Sequence, residues 1–464
     1  MIVLLLNPPG LRASLRTPVE SLVSELPLNL ASLLGSLLAA GEEPVLCDLH
    51  RESVQCFGPR GHNRRIRATF YTNDHSPLAT VRQACYRTQY LEFLKDRVTS
   101  RVRATGAGMV AVNADNAVFA LTILRHLKQV FPNLHTVIGG HRASRFTPHF
   151  LEKPQVDFVV RGEGETTLVA LVAALDRAVR PEGLPGLSYQ SGSTPILSEH
   201  APPENLPALP GPVYDLFDLD FYQEGGRGLP MLASRGCGGR CRFCGRGFPG
   251  PLRLRPPAIV VEELRGLLQR HDCRRFVFHD NDLLADPDYL RRLCGLLLTL
   301  PEPVSFTCLA RPEWTDPSLY ALLAAVGCTL LSFGVESASP RLLELCAKRL
   351  SVDTMTSAVR AARAAGLRTR ASFIYGLPTE TLRDLLATFR FLGEARPDLV
   401  GFNRFVLDAC SEFHHHPERY YRQYLDTLVG VEPLGPGGFF EVGTRRALVG
   451  LLQFYSHLTS RGAS

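Results

Sequence analysis

The stretch Ser234-Arg235-Gly236-Cys237-Gly238-Gly239-Arg240-Cys241-Arg242-Phe243-Cys244-Gly245 puts three cysteines on one glycine-rich loop, spaced C-x-x-x-C-x-x-C. Such spacing lets three thiolates converge on one metal centre. The glycines let backbone approach inorganic sulfide and donate N–H bonds to it. Three thiolates on a four-iron cube leave one iron without a protein ligand, open to a substrate or cofactor. A zinc knuckle, the alternative, wants a fourth ligand from a second C-x-x-C or H-x-x-x-H pair, and no second cysteine pair at such spacing occurs. Cys237, Cys241 and Cys244 are therefore the expected metal ligands. Cys47, Cys56, Cys85, Cys273, Cys294, Cys308, Cys328, Cys346 and Cys410 are scattered, mostly within apolar segments, and are expected to pack as small hydrophobes.

Outward from this loop the chain alternates strand and helix patterns. Strands are expected at 231–235, 275–279, 304–309, 329–335, 369–375 and 399–406. Helices are expected at 257–270, 286–299, 316–326, 353–365 and 379–394. Six β/α units are too few to close an eight-stranded barrel. They imply an open, partial (β/α)6 barrel over 229–400, with its site at the C-terminal strand ends. Residues 401–464 form a C-terminal extension expected on the substrate side, with a helix expected at 444–459.

The first 178 residues alternate in the same way. Near-continuous apolar runs at 2–6, 44–48, 109–113, 135–139 and 157–160 predict strands buried on both faces of a parallel sheet. Helices are expected at 28–40, 78–101, 117–130 and 165–178, which makes the α/β domain doubly wound. Residues 51–77 are polar and read as an irregular excursion. Residues 179–228 are dense in proline and read as an extended linker.

Composition bounds the rest. A chain of 464 residues suggests two or three domains. With 45% apolar and 21% charged residues it is not mainly disordered. Twelve cysteines are too few for a disulfide-stapled scaffold. No leader pattern and no apolar run of about 18 residues occur. A cytoplasmic protein with reduced thiols and no membrane span is expected. The net charge of +6 is modest and spread along the chain, which argues against a nucleic-acid partner.

The three-cysteine loop, with Phe243 just before the last cysteine and a partial barrel behind it, resembles the radical S-adenosylmethionine (SAM) superfamily. The likeness continues in Phe278-His279-Asp280-Asn281-Asp282, Phe333-Gly334-Val335-Glu336-Ser337 and Phe373-Ile374-Tyr375-Gly376-Leu377-Pro378-Thr379-Glu380, and covers about residues 229–395. It implies a [4Fe–4S] cluster on the three cysteines. SAM would chelate the open iron, and an electron from a donor such as flavodoxin or ferredoxin would cleave it to a 5′-deoxyadenosyl radical. It implies SAM contacts from Phe243, Asp280, Asp282, Glu336, Tyr375 and Gly376, and the cations of Arg311 and Lys348, after the third and fourth strands, are candidates to bind the SAM carboxylate. Read without that context, Glu336 would be a structural ion-pair partner and Lys348 a solvated cation. No catalytic residue is assigned beyond these.

The first domain resembles the cobalamin-binding, flavodoxin-like domain that precedes the barrel in one radical SAM subclass. The matching stretches are Pro27-Leu28-Asn29-Leu30-Ala31-Ser32-Leu33-Leu34, Val137-Ile138-Gly139-Gly140-His141 and Asp157-Phe158-Val159-Val160-Arg161-Gly162-Glu163-Gly164-Glu165. The resemblance implies cobalamin contacts from Asn7, Gly139, Gly140, Gly162 and Glu163. Two features depart from related patterns. The D-x-H-x-x-G string of cobalamin mutases is missing after the first strand, and Asp48-Leu49-His50 follows the second, so no histidine below cobalt is expected. Asn113-Ala114-Asp115 stands where relatives show Ser and Thr. The expected function is a cobalamin-dependent radical SAM enzyme methylating an unactivated carbon of a small-molecule or peptide substrate. The alternatives are cyclisation or rearrangement with the same cofactors, or a first domain that no longer binds cobalamin.

Overall fold

The computed structural model describes residues 1–9, 25–70, 77–224, 226–245, 251–405, 407–408 and 411–420. The chain divides into two compact units, Met1–Pro230 and Met231–Ser464.

In the first unit, β1 (Ile2–Asn7), β2 (Glu43–Asp48), β3 (Met109–Asn113), β4 (His135–Gly139) and β5 (Phe158–Val160) pair in parallel in the order β2-β1-β3-β4-β5. This is the doubly wound, flavodoxin-like order, with its switch point between β1 and β3. Val3, Leu4, Leu5 and Leu6 are all buried. Consecutive strand residues face opposite ways, so both faces of the sheet are covered.

Two expectations fail here. Residues 51–77 are not irregular throughout: a helix runs over Leu49–Phe70, broken at Gly58 (φ 67°, ψ 162°), and another over Pro77–Thr105. The break and Pro59 interrupt any regular apolar stripe, which hides the helix from periodicity. Nor is 179–228 only a linker. It supplies β6 (Leu187–Ser191) and β7 (Thr194–Ile196), a hairpin that extends the sheet antiparallel to β5, and a short helix at Leu219–Gln223.

The division falls within β8 (Leu229–Met231). The expected strand at 231–235 is split. β8 joins the main sheet, whereas β9 (Ser234–Arg235) pairs antiparallel with β10 (Arg253–Leu254). β11 (Arg275–Phe278), β12 (Ser305–Ala310), β13 (Cys328–Glu336), β14 (Arg368–Tyr375) and β15 (Leu399–Arg404) are mutually parallel and lie in chain order beside β8. Sequential parallel strands linked by helices make the open six-stranded barrel that the pattern implied.

The helix starts are locally encoded. Asp286, Asp316 and Ser351 cap the N–H groups of Tyr289, Ser318 and Thr354. Thr381 and Asp384 form a reciprocal capping box. The helix expected at 444–459 lies outside the described residues. Among the described residues no helix is long and apolar enough to cross a membrane.

Candidate cluster and cofactor site

The chain leaves β9 through Gly236, at φ 92°, and enters the cysteine loop. The Gly239 N–H points at Cys237 Sγ, 3.3 Å away. The Cys244 N–H donates to the Cys241 carbonyl at 3.1 Å. Arg242 fastens the middle of the loop: its N–H donates to Cys346 O at 2.9 Å, and its Nη1 to Leu345 O at 3.0 Å. Phe243 packs against Leu342, Cys346, Leu377, Phe405 and Phe413. Cys237 and Cys241 are half-buried and Cys244 is exposed. Among the described residues, no three His, Cys, Asp or Glu side chains are placed to hold a single ion. A four-iron cube asks for a wider triangle, because each thiolate takes a separate iron.

Buried carboxylates gather at the strand ends beyond this loop. Asp280 is 0% exposed. It accepts from Ala233 N at 3.1 Å and from the Ser234 hydroxyl at 2.5 Å, and burial pushes its pKa up. Asp282 accepts from the Arg311 N–H at 3.2 Å, and burial pushes its pKa up to about 6. Glu336 ends β13 with left-handed backbone, φ 67°, where the pairing with β14 shifts register between Gly334 and Glu336. Its Oε1 lies 3.6 Å from the Lys348 ammonium. Burial raises its pKa, against the pull of Lys348. Gly334 leaves room for this side chain, since a Cβ there would come within 2.5 Å of Glu336 Oε1. Lys348 is not solvated: it is buried, 3% exposed.

Gly376 (φ 81°) follows Tyr375 at the end of β14. Its N–H donates to Glu380 Oε2 at 2.5 Å. Glu380, the acid of the Gly376-Leu377-Pro378-Thr379-Glu380 stretch, is not among the expected contacts; the fold shows its bond to Gly376. The Arg311 guanidinium was expected against SAM. It has three partners inside the protein: Glu313 at Nε (3.3 Å), Cys241 Sγ at Nη1 (3.6 Å) and the Lys348 carbonyl at Nη2 (2.9 Å).

In the first unit Asn7 ends β1 buried. Its Nδ2 donates to Asp48 Oδ1 at 2.7 Å and to the Tyr222 hydroxyl at 3.0 Å. The Tyr222 hydroxyl donates to Asp48 Oδ2 at 2.6 Å. Both amide hydrogens of Asn7 are thus used internally. His50 is buried with its ring 4.8 Å from that of His62. At the end of β4, Gly139 is open: a Cβ there would meet nothing closer than 3.9 Å. At Gly140 (φ 95°) a Cβ would fall 2.6 Å from Asn113 Oδ1. Gly162 and Glu163 have internal partners. The Ala201 backbone lies against Gly162, and Glu163 Oε2 accepts the Glu204 N–H at 3.1 Å. Gly139 is therefore the open point at the end of β4, Asn113 lies against Gly140, and the segment at 201–204 takes the space at β5.

A three-thiol loop on an open β/α barrel and a flavodoxin-like sheet together define a radical SAM domain preceded by a B12-binding domain. The Radical SAM superfamily matches residues 231–392, and the B12 binding domain matches 76–172. The chain thus carries matches to both domains, the combination found in cobalamin-binding radical SAM proteins.

The chain is 32% identical over 295 residues to an uncharacterized methyltransferase from Pyrococcus horikoshii, covering 61% of this chain and 63% of the relative. It is 27% identical over 326 residues to the anaerobic magnesium-protoporphyrin IX monomethyl ester cyclase of Cereibacter sphaeroides, covering 67% and 53%. The chain thus spans between half and two thirds of the length of these relatives. The fold is shared with the radical S-adenosylmethionine methyltransferase TsrM from Kitasatospora setae, solved with cobalamin and [4Fe–4S] cluster bound. That likeness has a TM-score of 0.65 at 19% identity over 89% of this chain and 74% of that one.

The radical SAM domain implies a [4Fe–4S] cluster and SAM, and the B12-binding domain implies cobalamin. The residues present fit the first pair. Three thiols share a loop that offers N–H donors to sulfur, and buried carboxylates stand at the strand ends where a cationic ligand would need them. For the corrinoid, the open glycine end of β4 at the carboxyl edge of the sheet is the fitting feature.

Proposed function

We propose that the chain is a cobalamin-dependent radical SAM enzyme that methylates an unactivated carbon of a small-molecule or peptide substrate. The observation that carries this reading is the three-thiol loop beside the carboxylates of Asp280, Asp282 and Glu336, in a chain that also holds a B12-binding domain. When bound, the cluster would supply the electron that cleaves SAM to the 5′-deoxyadenosyl radical, and the corrinoid would carry the methyl group.

The protein's own residues have distinct tasks. Cys237, Cys241 and Cys244 hold the irons and leave one position open. Asp282 and Glu336 offer negative charge to the ammonium and sulfonium of SAM. Lys348, held by Glu336, offers a cation to the carboxylate. Phe243, Tyr375 and Gly376 border the slot for the adenosyl group, and Glu380 keeps the Gly376 N–H oriented. In the first unit, Gly139 and Gly140 give a flat macrocycle close access to backbone.

The electron donor would be a flavodoxin or ferredoxin. A reducing cytoplasm suits the eleven described cysteines, all of which carry free thiols. The similarity to a cyclase favours a second reading, cyclisation or rearrangement with the same cofactors.

Anaerobic reconstitution with iron, sulfide and hydroxocobalamin tests the reading. The expected result is about four irons per chain and a corrinoid spectrum that survives gel filtration. A cluster-loaded protein with no corrinoid spectrum would remove cobalamin from the reading. Mass spectrometry with methyl-labelled SAM then separates methyl transfer from ring closure.

A further inference from the structure

Arg311 follows β12, and its N–H is fixed on Asp282 Oδ1 at 3.2 Å. From there the side chain runs into the cysteine loop, where it is 11% exposed. Its fork is held at each end. Nε faces Glu313 at 3.3 Å, and Nη2 donates to the Lys348 carbonyl at 2.9 Å. Nη1 is thereby aimed at Cys241 Sγ, 3.6 Å away. The loop is built to admit it. A Cβ at Gly239 would come within 2.6 Å of Nη1 and 3.5 Å of Cys237 Sγ. The second glycine of Cys237-Gly238-Gly239 is therefore the space the guanidinium occupies. Cys237 thus faces the Gly239 N–H, and Cys241 faces a cation.

We propose that Arg311 is a tuning and positioning residue for the cluster: its guanidinium hydrogen-bonds the Cys241 thiolate and raises the reduction potential of the cluster the three thiolates hold. This rests on the radical SAM reading given above. One-electron reduction by the external donor adds one negative charge to the cluster and breaks no bond. A fixed cation and an N–H donor on a ligating sulfur stabilise the reduced form more than the oxidised form. Lysine cannot replace this geometry, since one ammonium cannot span Glu313, Cys241 and the Lys348 carbonyl as a planar fork does.

The test uses the full chain reconstituted anaerobically, without SAM, as wild type, Arg311→Lys and Arg311→Gln. Iron and sulfide content is measured first. The cluster is then titrated with viologen mediators and followed by electron paramagnetic resonance. Both variants are expected to load the cluster. In Arg311→Gln the ratio of reduced to oxidised cluster at the wild-type midpoint should fall about tenfold, a drop of about 59 mV for one electron. Arg311→Lys should shift the same way by less, and SAM affinity should hold in both. A loaded variant with unchanged midpoint overturns the proposal. If SAM affinity collapses while the midpoint holds, Arg311 anchors the SAM carboxylate instead. Loss of the cluster from both variants reduces Arg311 to scaffolding and overturns the tuning role. A wild-type chain that takes up no four-iron cluster would instead sink the radical SAM reading itself.

Discussion

The Lys348 ammonium stands 3.6 Å from the Glu336 carboxylate, and the two side chains are only 4% and 17% exposed. A pair so enclosed is costly to break from one side, because the remaining charge is left without a partner or water. Lys348→Met should destabilise the metal-free protein by about 3–5 kcal/mol. Adding Glu336→Gln should recover much of that loss, since both charges are then gone. Urea unfolding of the single and double variants completes the cycle. Additive losses would show that the pair is not coupled.

Asp282 gives the site a pH signature. Its pKa rises from 3.8 to about 6, chiefly through burial. A carboxyl raised on folding contributes stability that is fully present below pH 3.8 and is lost as pH climbs through about 6. The buried carboxylate therefore costs about 3 kcal/mol at neutral pH. Asp282→Asn should stabilise the metal-free protein at pH 7.5 and change little at pH 4. A stability gain of equal size at both pH values would refute this.

Cysteine substitutions should divide sharply. Cys237→Ala, Cys241→Ala and Cys244→Ala should each lose the cluster absorbance and the production of 5′-deoxyadenosine. Cys346→Ala should keep both. Cys346 lies under the loop, accepting the Arg242 N–H on its carbonyl, but its thiol is buried and its pKa is raised mainly by burial. Iron analysis and anaerobic SAM cleavage read the difference.

The Asn7–Asp48–Tyr222 network should be felt as stability. Tyr222→Phe removes the donor 2.6 Å from Asp48 Oδ2. Burial raises the Asp48 pKa, and the Tyr222 bond opposes that rise. The loss should be about 1–3 kcal/mol at pH 7 and shrink as Asp48 protonates in acid. Thermal unfolding as a function of pH measures it. A loss that stays constant down to pH 3 would mean that Asp48 does not depend on Tyr222.

Much of this could be read from sequence where chemistry and chain order coincide. The cysteine loop is local, and the family resemblance points to the strand-end acids Asp280, Asp282 and Glu336. What escaped reading depends on contacts distant in sequence. Tyr222 meets Asn7 and Asp48 across more than 170 positions, so a segment read as linker supplies a network at β1. The thiol that Arg311 meets is 70 residues away. From the sequence the arginine looked free to meet a ligand, whereas in the fold its fork reaches a thiol. The helix at Leu49–Phe70 was hidden by Gly58 and Pro59. The β6–β7 hairpin was hidden because proline and glycine surround it.

The left-handed backbone at Glu336 (φ 67°) bears on how this protein could be engineered. Such a conformation costs a residue with a Cβ on the order of 1–2 kcal/mol, which glycine escapes. Removing this carboxylate alone strands the buried Lys348 ammonium, so a gain appears only when Lys348 is neutralised as well. A screen that ranks variants by heat resistance alone would therefore favour replacing Glu336 together with Lys348, and would select away the acid proposed to serve the cofactor site. Thermostabilising libraries of this fold should hold position 336 fixed.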